Sequence, residues 1–220
     1  KKLQEEHGIQ SLSELMSRIE AQPRGILQEQ AVDAMTTNET LWFRDTFPFE
    51  IMKNKLLPEL LKKHPGQRLR IWSAACSSGQ EPYSLSMTVD EFDRANLGQA
   101  KASVQIVATD LSPTMVQACK KGEYDSLAIG RGLSSERLAN YFDKTPAGTW
   151  QVKSALKSRI DFRTGNLLDS FAGLGKFDVV FCRNVLIYFS PEAKKDILTR
   201  IHATLKPGGY LVLGASEALN

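Results

Sequence analysis

Residues 69–84, LRIWSAACSSGQEPYS, constrain the fold more than any other stretch of this chain. They read as a buried strand that runs into a loop of small residues and then into a helix. Pro82 suits the first turn of that helix, where a missing N–H costs nothing. A small-residue loop lets backbone approach a ligand closely, and the helix start aims N–H groups toward it. The order strand, loop, helix predicts a nucleotide-type cofactor site without specifying the cofactor.

The rest of the chain repeats the pattern. Strands are expected at residues 70–74, 104–109, 160–164, 177–182 and 210–215, and helices at 81–94, 113–121 and 191–205. Ser112-Pro113 and Ser190-Pro191 are strong helix starts. Strands alternating with helices indicate an α/β fold, a doubly wound and mostly parallel sheet covered by helices. Ahead of the sheet, residues 11–35 read as two helices separated by Pro23-Arg24-Gly25. Residues 47–64 read as one helix that Pro58 breaks or kinks and Pro65-Gly66 stops. Residues 122–158 are too long for an ordinary connection and predict a small subdomain inserted at the sheet edge, with a helix at 133–142 and a strand at 150–153.

Composition narrows the function. Hydrophobic residues make up 42% and charged residues 24%, enough for a normal core. A formal charge of +3 lacks the dense basic face that nucleic acid requires. Cys76, Cys119 and Cys182 are odd in number and lack C-x-x-C spacing, which argues for a reducing cytoplasm and against a disulfide scaffold or a structural zinc site. No metal is expected. No apolar run reaches a membrane span and no signal peptide is visible, so direct membrane insertion is not expected. The chain starts at Lys1 without Met and stops before the antiparallel strands such sheets usually carry, so it reads as part of a longer protein.

Several residues are candidates for chemistry. Asp110 ends the second strand, where a carboxylate can accept both ribose hydroxyls; the plainer role, a helix cap, suits Ser112 better. The fingerprint G-x-G-x-x-G is absent and Gly79 is the loop's single glycine, which weakens a dinucleotide reading. S-adenosyl-L-methionine has no phosphate, so Ala75, Cys76, Ser77 and Ser78 can suffice, and Glu81 would suit its cationic end. On its own Glu81 could equally be a favourable charge in a first helical turn. Arg183 and Asn184 follow a buried strand at the sheet's carboxyl edge, where ligands of open α/β sheets bind. TTNETLWFRD, residues 36–45, reads either as a cap with Trp42 and Phe43 as core anchors, or as a lid bringing Asn38, Thr40 and Arg44 over the cofactor.

Taken in order, TTNETLWFRD, IWSAACSSGQEPYS, ATDLSPTMVQACKKGEY, GNLLD, FDVVFCRNVLIYF and LKPGGYLVLGASE resemble the chemotaxis receptor glutamate O-methyltransferases, the CheR family. The resemblance covers nearly the whole chain after residue 35. It implies a class I, Rossmann-like, S-adenosyl-L-methionine-dependent methyltransferase that esterifies glutamate side chains of chemotaxis receptors and releases S-adenosylhomocysteine. It implies cofactor contacts from Asn38, Thr40, Arg44, Glu81, Asp110, Asn166, Leu167, Asn184 and Val185, with Arg44 and Tyr188 near the transferring methyl and Arg183 on the same rim. Residues 1–35 would be the end of a helical N-terminal domain and residues 36–220 the methyltransferase domain. Some members grip a receptor tail through the subdomain at 122–158; the short 142–150 loop counts against that here. Trp42, Gln80 and Ala215 depart from the residues usual at their places. Other readings are a methyltransferase with a small-molecule or nucleic-acid substrate, although the amino-methylating N/D-P-P-Y/F motif is absent, and a cofactor-sensing module without turnover.

Overall fold

The computed structural model describes residues 2–23, 25–35, 39–97 and 102–217. Helices α1 (Lys2–Glu6), α2 (Leu12–Ala21) and α3 (Ile26–Met35) lead the chain. The first of these is not foreshadowed in the sequence. Helix α4 (Phe47–Ile51) passes through a π turn, Met52–Leu56, into α5 (Leu57–Lys63). Pro58 therefore does not break the helix. The Leu57 N–H bonds back to the Met52 carbonyl, and this wider turn makes room for a proline that cannot donate and whose ring would crowd the carbonyl four residues back.

The alternating part follows as β1 (Leu69–Ala74), α6 (Gln80–Ala95), β2 (Val104–Asp110) and α7 (Pro113–Lys121). Next come β3 (Glu123–Tyr124), α8 (Ser126–Ile129), α9 (Ser135–Tyr141), β4 (Phe142–Lys144), β5 (Trp150–Val152) and α10 (Ser154–Lys157). The chain then returns to the sheet with β6 (Ile160–Thr164), β7 (Phe177–Cys182), α11 (Pro191–Thr204) and β8 (Leu205–Leu213). The main sheet has the order β6-β2-β1-β7-β8 with every described pair parallel. Strands β3, β5 and β4 form a separate antiparallel sheet between α7 and β6, within the stretch expected to be an insertion.

Strand alternation builds two cores. Ile71, Ile106, Val179 and Phe181 face one side with Phe49, Met52, Tyr83 and Leu85; Trp72, Val107, Val180 and Cys182 face the other with Ile197 and Ile201. The last strand differs from expectation. Pairing with β7 begins at Leu205, not Tyr210, and Pro207, Gly208 and Gly209 are absorbed as an irregularity between the pairs Phe177–Leu205 and Val179–Tyr210. It also ends at Leu213 rather than residue 215.

The order in the sheet reverses between β1 and β7, so the loops leaving their carboxyl ends diverge and open a crevice. The functional candidates among the described residues lie at that edge.

Candidate functional site

The loop between β1 and α6 is strained and held from within. Ala75 and Ser77 take positive φ of 64° and 50°, and Gly79 takes 97°. A Cβ on Gly79 would stand 3.0 Å from both Cys119 Sγ and Tyr124 Oη, so glycine is required for contact as well as conformation. The Ser77 N–H donates to Asp110 Oδ2 at 2.7 Å, and the Cys76 N–H donates to the Thr109 carbonyl at 2.9 Å. Tyr124 Oη donates to the Ser78 carbonyl at 2.7 Å. The loop is thus tied to β2 and to the subdomain, and part of its N–H set is occupied rather than aimed at a ligand.

Asp110 sits at the end of β2. Its Oδ1 accepts the Ser112 N–H at 3.0 Å, while Ser112 is the N-cap of α7 and accepts from Met115 at 3.0 Å. Burial pushes the Asp110 carboxyl up from its ordinary range, against the pull of the Ser112 and Ser77 N–H groups. Burial also raises the Glu81 carboxyl, opposed by the positive charge of Arg183 and a bond from Ser73. Ser73 Oγ donates to Glu81 Oε1 at 2.8 Å and Arg183 Nη1 donates to Oε2 at 2.9 Å.

Arg183 lies on the wall of the same cavity, but its side chain is only 1% exposed. Besides Glu81, its Nη2 donates to the Arg44 carbonyl at 2.8 Å and to Asp45 Oδ2 at 2.7 Å. The guanidinium clasps the segment after Thr40 to the helix carrying Glu81 and does not project from the rim. That geometry is one of positioning.

The cap expected at Thr37 or Asn38 lies outside the described residues, and segment 39–46 shows the remainder of both readings. Trp42 and Phe43 are buried anchors, while Thr40 and Arg44 face the cavity. Trp42 Nε1 donates to the Ala128 carbonyl at 3.0 Å, and its ring meets Tyr124 and Phe142 edge-on. Its carbonyl also packs under Gly132, where a Cβ would approach to 2.3 Å. The Phe43 N–H donates to Ser84 Oγ at 3.1 Å. Among the described residues, all six non-glycine positive-φ positions (Phe43, Asp45, Thr46, Ala75, Ser77 and Asn184) fall in this segment, in the β1–α6 loop or just after β7. Strain of that kind collects where function over-determines the backbone.

These segments enclose a cavity of about 270 Å³. Thr40, Arg44, Glu81, Asp110, Asn166, Leu167, Arg183, Asn184, Val185 and Tyr188 all line it, together with Ala75, Cys76 and Ser77. Asn38 lies outside the described residues. Tyr188 is 61% exposed at the mouth. The Cys76 thiol is held well above its ordinary range by its contact with Cys119 and by burial, and the three cysteines are free. Among the described residues no acidic or thiol cluster could hold a metal.

The wall fits S-adenosyl-L-methionine better than a dinucleotide. Two partly buried carboxylates, Glu81 and Asp110, would repel a pyrophosphate and favour a cationic sulfonium and an amino group. Asp110 stands at the switch-point edge, where a ribose would lie. One residue that closes the motif LKPGGYLVLGASE has a role the sequence does not show: Glu217, beyond β8, reaches the backbone after β7. Its partners lie about thirty residues away and are main-chain amides, which leave no side-chain signal.

Comparison with known proteins agrees. Residues 38–220 match the family described as CheR methyltransferase, SAM binding domain. The chemotaxis protein methyltransferase Cher2 of Pseudomonas putida is 72% identical over 219 residues, covering 100% of this chain and 80% of that protein. Chemotaxis protein methyltransferase 1 of Pseudomonas aeruginosa is 71% identical with the same coverage. The chemotaxis protein methyltransferase of Borreliella burgdorferi is 33% identical, covering 96% of this chain and 75% of that protein. With its parallel sheet, switch-point cavity and phosphate-averse wall, the chain belongs to the CheR methyltransferase family and is an S-adenosyl-L-methionine-dependent methyltransferase of class I fold.

Proposed function

We propose that this chain methylates glutamate side-chain carboxylates on the cytoplasmic part of chemotaxis receptors, leaving glutamyl methyl esters and S-adenosylhomocysteine. One observation carries the reading: the carboxylates and the thiol on the described cavity wall are each already engaged, the exposed Glu39 by Arg131 at 2.9 Å. Glu81 is paired with Arg183, Asp110 is held by two backbone N–H groups, and the Cys76 thiol is kept protonated. Such a wall suits a nucleophile that arrives already ionised. A glutamate with pKa about 4.3 is about 99% or more ionised at pH 7 and needs no base.

Bound S-adenosyl-L-methionine supplies an electrophilic sulfonium methyl. Glu81 and Asp110 bind its amino-acid end and its ribose, with Thr40, Asn166, Leu167, Asn184 and Val185 shaping the adenosine side; Asn38 belongs to this set by resemblance. Arg44 and Tyr188 meet the incoming carboxylate at the mouth. Placing nucleophile and methyl in line can contribute on the order of 7–11 kcal/mol. Excluding water favours a step in which opposite charges cancel. Arg183 supports Arg44 and Glu81 from behind.

In this reading residues 1–35 are the end of a helical N-terminal domain and residues 36–220 the catalytic domain, with the subdomain at 122–158 as an insertion. The β4–β5 turn is short, closed by Thr145 N–H to Thr149 carbonyl at 2.8 Å, and receptor-tail docking forms no part of the proposal. Among the described residues no helix is long and apolar enough to cross a membrane, which is consistent with action on receptors from the cytoplasmic side.

The test is transfer of labelled methyl to receptor-bearing membranes followed by mild base. Label released as methanol supports a carboxyl ester. Base-stable label would point to nitrogen methylation and refute the glutamate assignment.

A further inference from the structure

The backbone leaving β7 is held from the far side of β8. Glu217, 7% exposed, turns its carboxylate onto four main-chain N–H groups. Oε1 accepts from Val185 at 2.8 Å and Leu186 at 2.7 Å, and Oε2 accepts from Asn184 at 2.7 Å and Gly214 at 2.9 Å. Three successive amides converging on one acceptor form an anion-binding concavity, and here the anion is a side chain. Asn184 takes φ of +58° at the start of this concavity, a conformation most residues avoid. Gly214 leaves the room: a Cβ there would stand 2.7 Å from Glu217 Oε2 and 3.0 Å from the Asn184 amide nitrogen.

Asn184 and Val185 line the cavity, and the same backbone continues to Tyr188 at its mouth. We infer that Glu217 is a positioning residue for the cofactor site, fixing the 184–186 backbone so that Asn184 and Val185 present a preformed wall to S-adenosyl-L-methionine. The inference rests on reading that wall as cofactor-facing. It explains why a carboxylate is buried with no cation beside it among its described partners: four N–H dipoles replace water, each charge-assisted.

Glu217→Gln is the discriminating variant. It keeps size and shape, yet each oxygen of Glu217 accepts two N–H groups, so either amide orientation sets an NH2 against two donors. Cofactor affinity measured by calorimetry should fall about tenfold or more. KM for S-adenosyl-L-methionine should rise by more than kcat falls, and hydrogen exchange at residues 184–186 should accelerate. Gly214→Ala, which crowds the same socket, should give the same selective loss. Asp178→Asn is the control for mere destabilisation. That carboxylate is 1% exposed and accepts from Arg70 N–H at 2.7 Å and Lys206 Nζ at 2.8 Å, but it lies near the start of β7. It should lower Tm while leaving cofactor affinity within about twofold of wild type, since nothing at the cavity is touched. If Glu217→Gln binds cofactor like wild type, or loses no more than Asp178→Asn at equal loss of Tm, the inference is overturned. Asn184→Ala separates the two layers. If it weakens cofactor while Glu217→Gln does not, the bracing role alone fails; if it leaves affinity intact, the wall is not cofactor-facing and both fall.

Discussion

Arg183→Lys tests whether the guanidinium clasp is what completes the site. The substitution keeps a positive charge but loses the fork that reaches three acceptors. An ammonium should stay with Glu81, whose side chain is 13% exposed and whose charge is the least hydrated of the three partners. It then gives up the Arg44 carbonyl and Asp45. The carbonyl bond, charge-assisted and partly buried, is worth about 1.5 kcal/mol. The Asp45 pair is worth only about 0.5 kcal/mol, because that carboxylate is 40% exposed and screened by solvent. The expected loss is about 2 kcal/mol, or a Tm about 4–8 °C lower for a chain of this size. Because the released carbonyl belongs to Arg44, cofactor affinity should fall together with stability. Arg183→Met should cost more, about 3–5 kcal/mol, since it strands Glu81 without its cation. Urea unfolding and calorimetric titration with S-adenosyl-L-methionine read both quantities. If Arg183→Lys matches wild type in stability and in affinity, the clasp is not what holds segment 39–46 in place.

Two further outcomes follow from the same geometry. Tyr188→Phe removes one hydroxyl at an exposed position, so single-turnover methyl transfer should slow by about tenfold or more while cofactor affinity stays within about twofold; a large loss of affinity would move Tyr188 from the mouth to the binding wall. Burial holds Glu81 and Asp110 above ordinary values of 4.5 and 3.8. Between those values and the raised ones the folded state carries more protons than the unfolded chain, so these two groups make stability fall as pH rises through that window. Cofactor binding needs the ionised carboxylates and therefore gains over the same rise. The acid limb of affinity against pH should lie above the ordinary carboxylate range, and a limb at or below about 4.5 would contradict the burial argument.

Local signals were readable where they were strong. Helix α7 begins at Pro113 because Ser112 caps it, and β6 and β7 fall at their expected bounds residue for residue. Glu81 and Asp110 could be singled out because each stands beside a loop or strand end, and Thr40 and Arg44 because hydroxyls, aromatics and an arginine crowd one short segment; Tyr188 entered through the family resemblance alone. Partnerships across the fold could not be read. Glu81 and Arg183 are separated by 102 positions, and only the parallel pairing of β1 with β7 brings them together. Glu217 closes the motif LKPGGYLVLGASE, but its role could not be read, since its partners are amides that every sequence possesses. Pro58 was legible as a disturbance but not as a π turn, because proline forbids a bond without saying how the neighbouring carbonyls rearrange.

The cavity wall draws on segments near residues 40, 75, 110, 166 and 184, which follow four different strands and the stretch ahead of the first. Mass action then couples occupancy to the whole fold. Ligand present at about 100 times its Kd adds about 2.7 kcal/mol to unfolding, and because no fragment contains the wall, that increment is felt by the entire cooperative unit rather than by one loop. A cell's cofactor level would thereby govern how long this enzyme survives proteolysis as well as how fast it works.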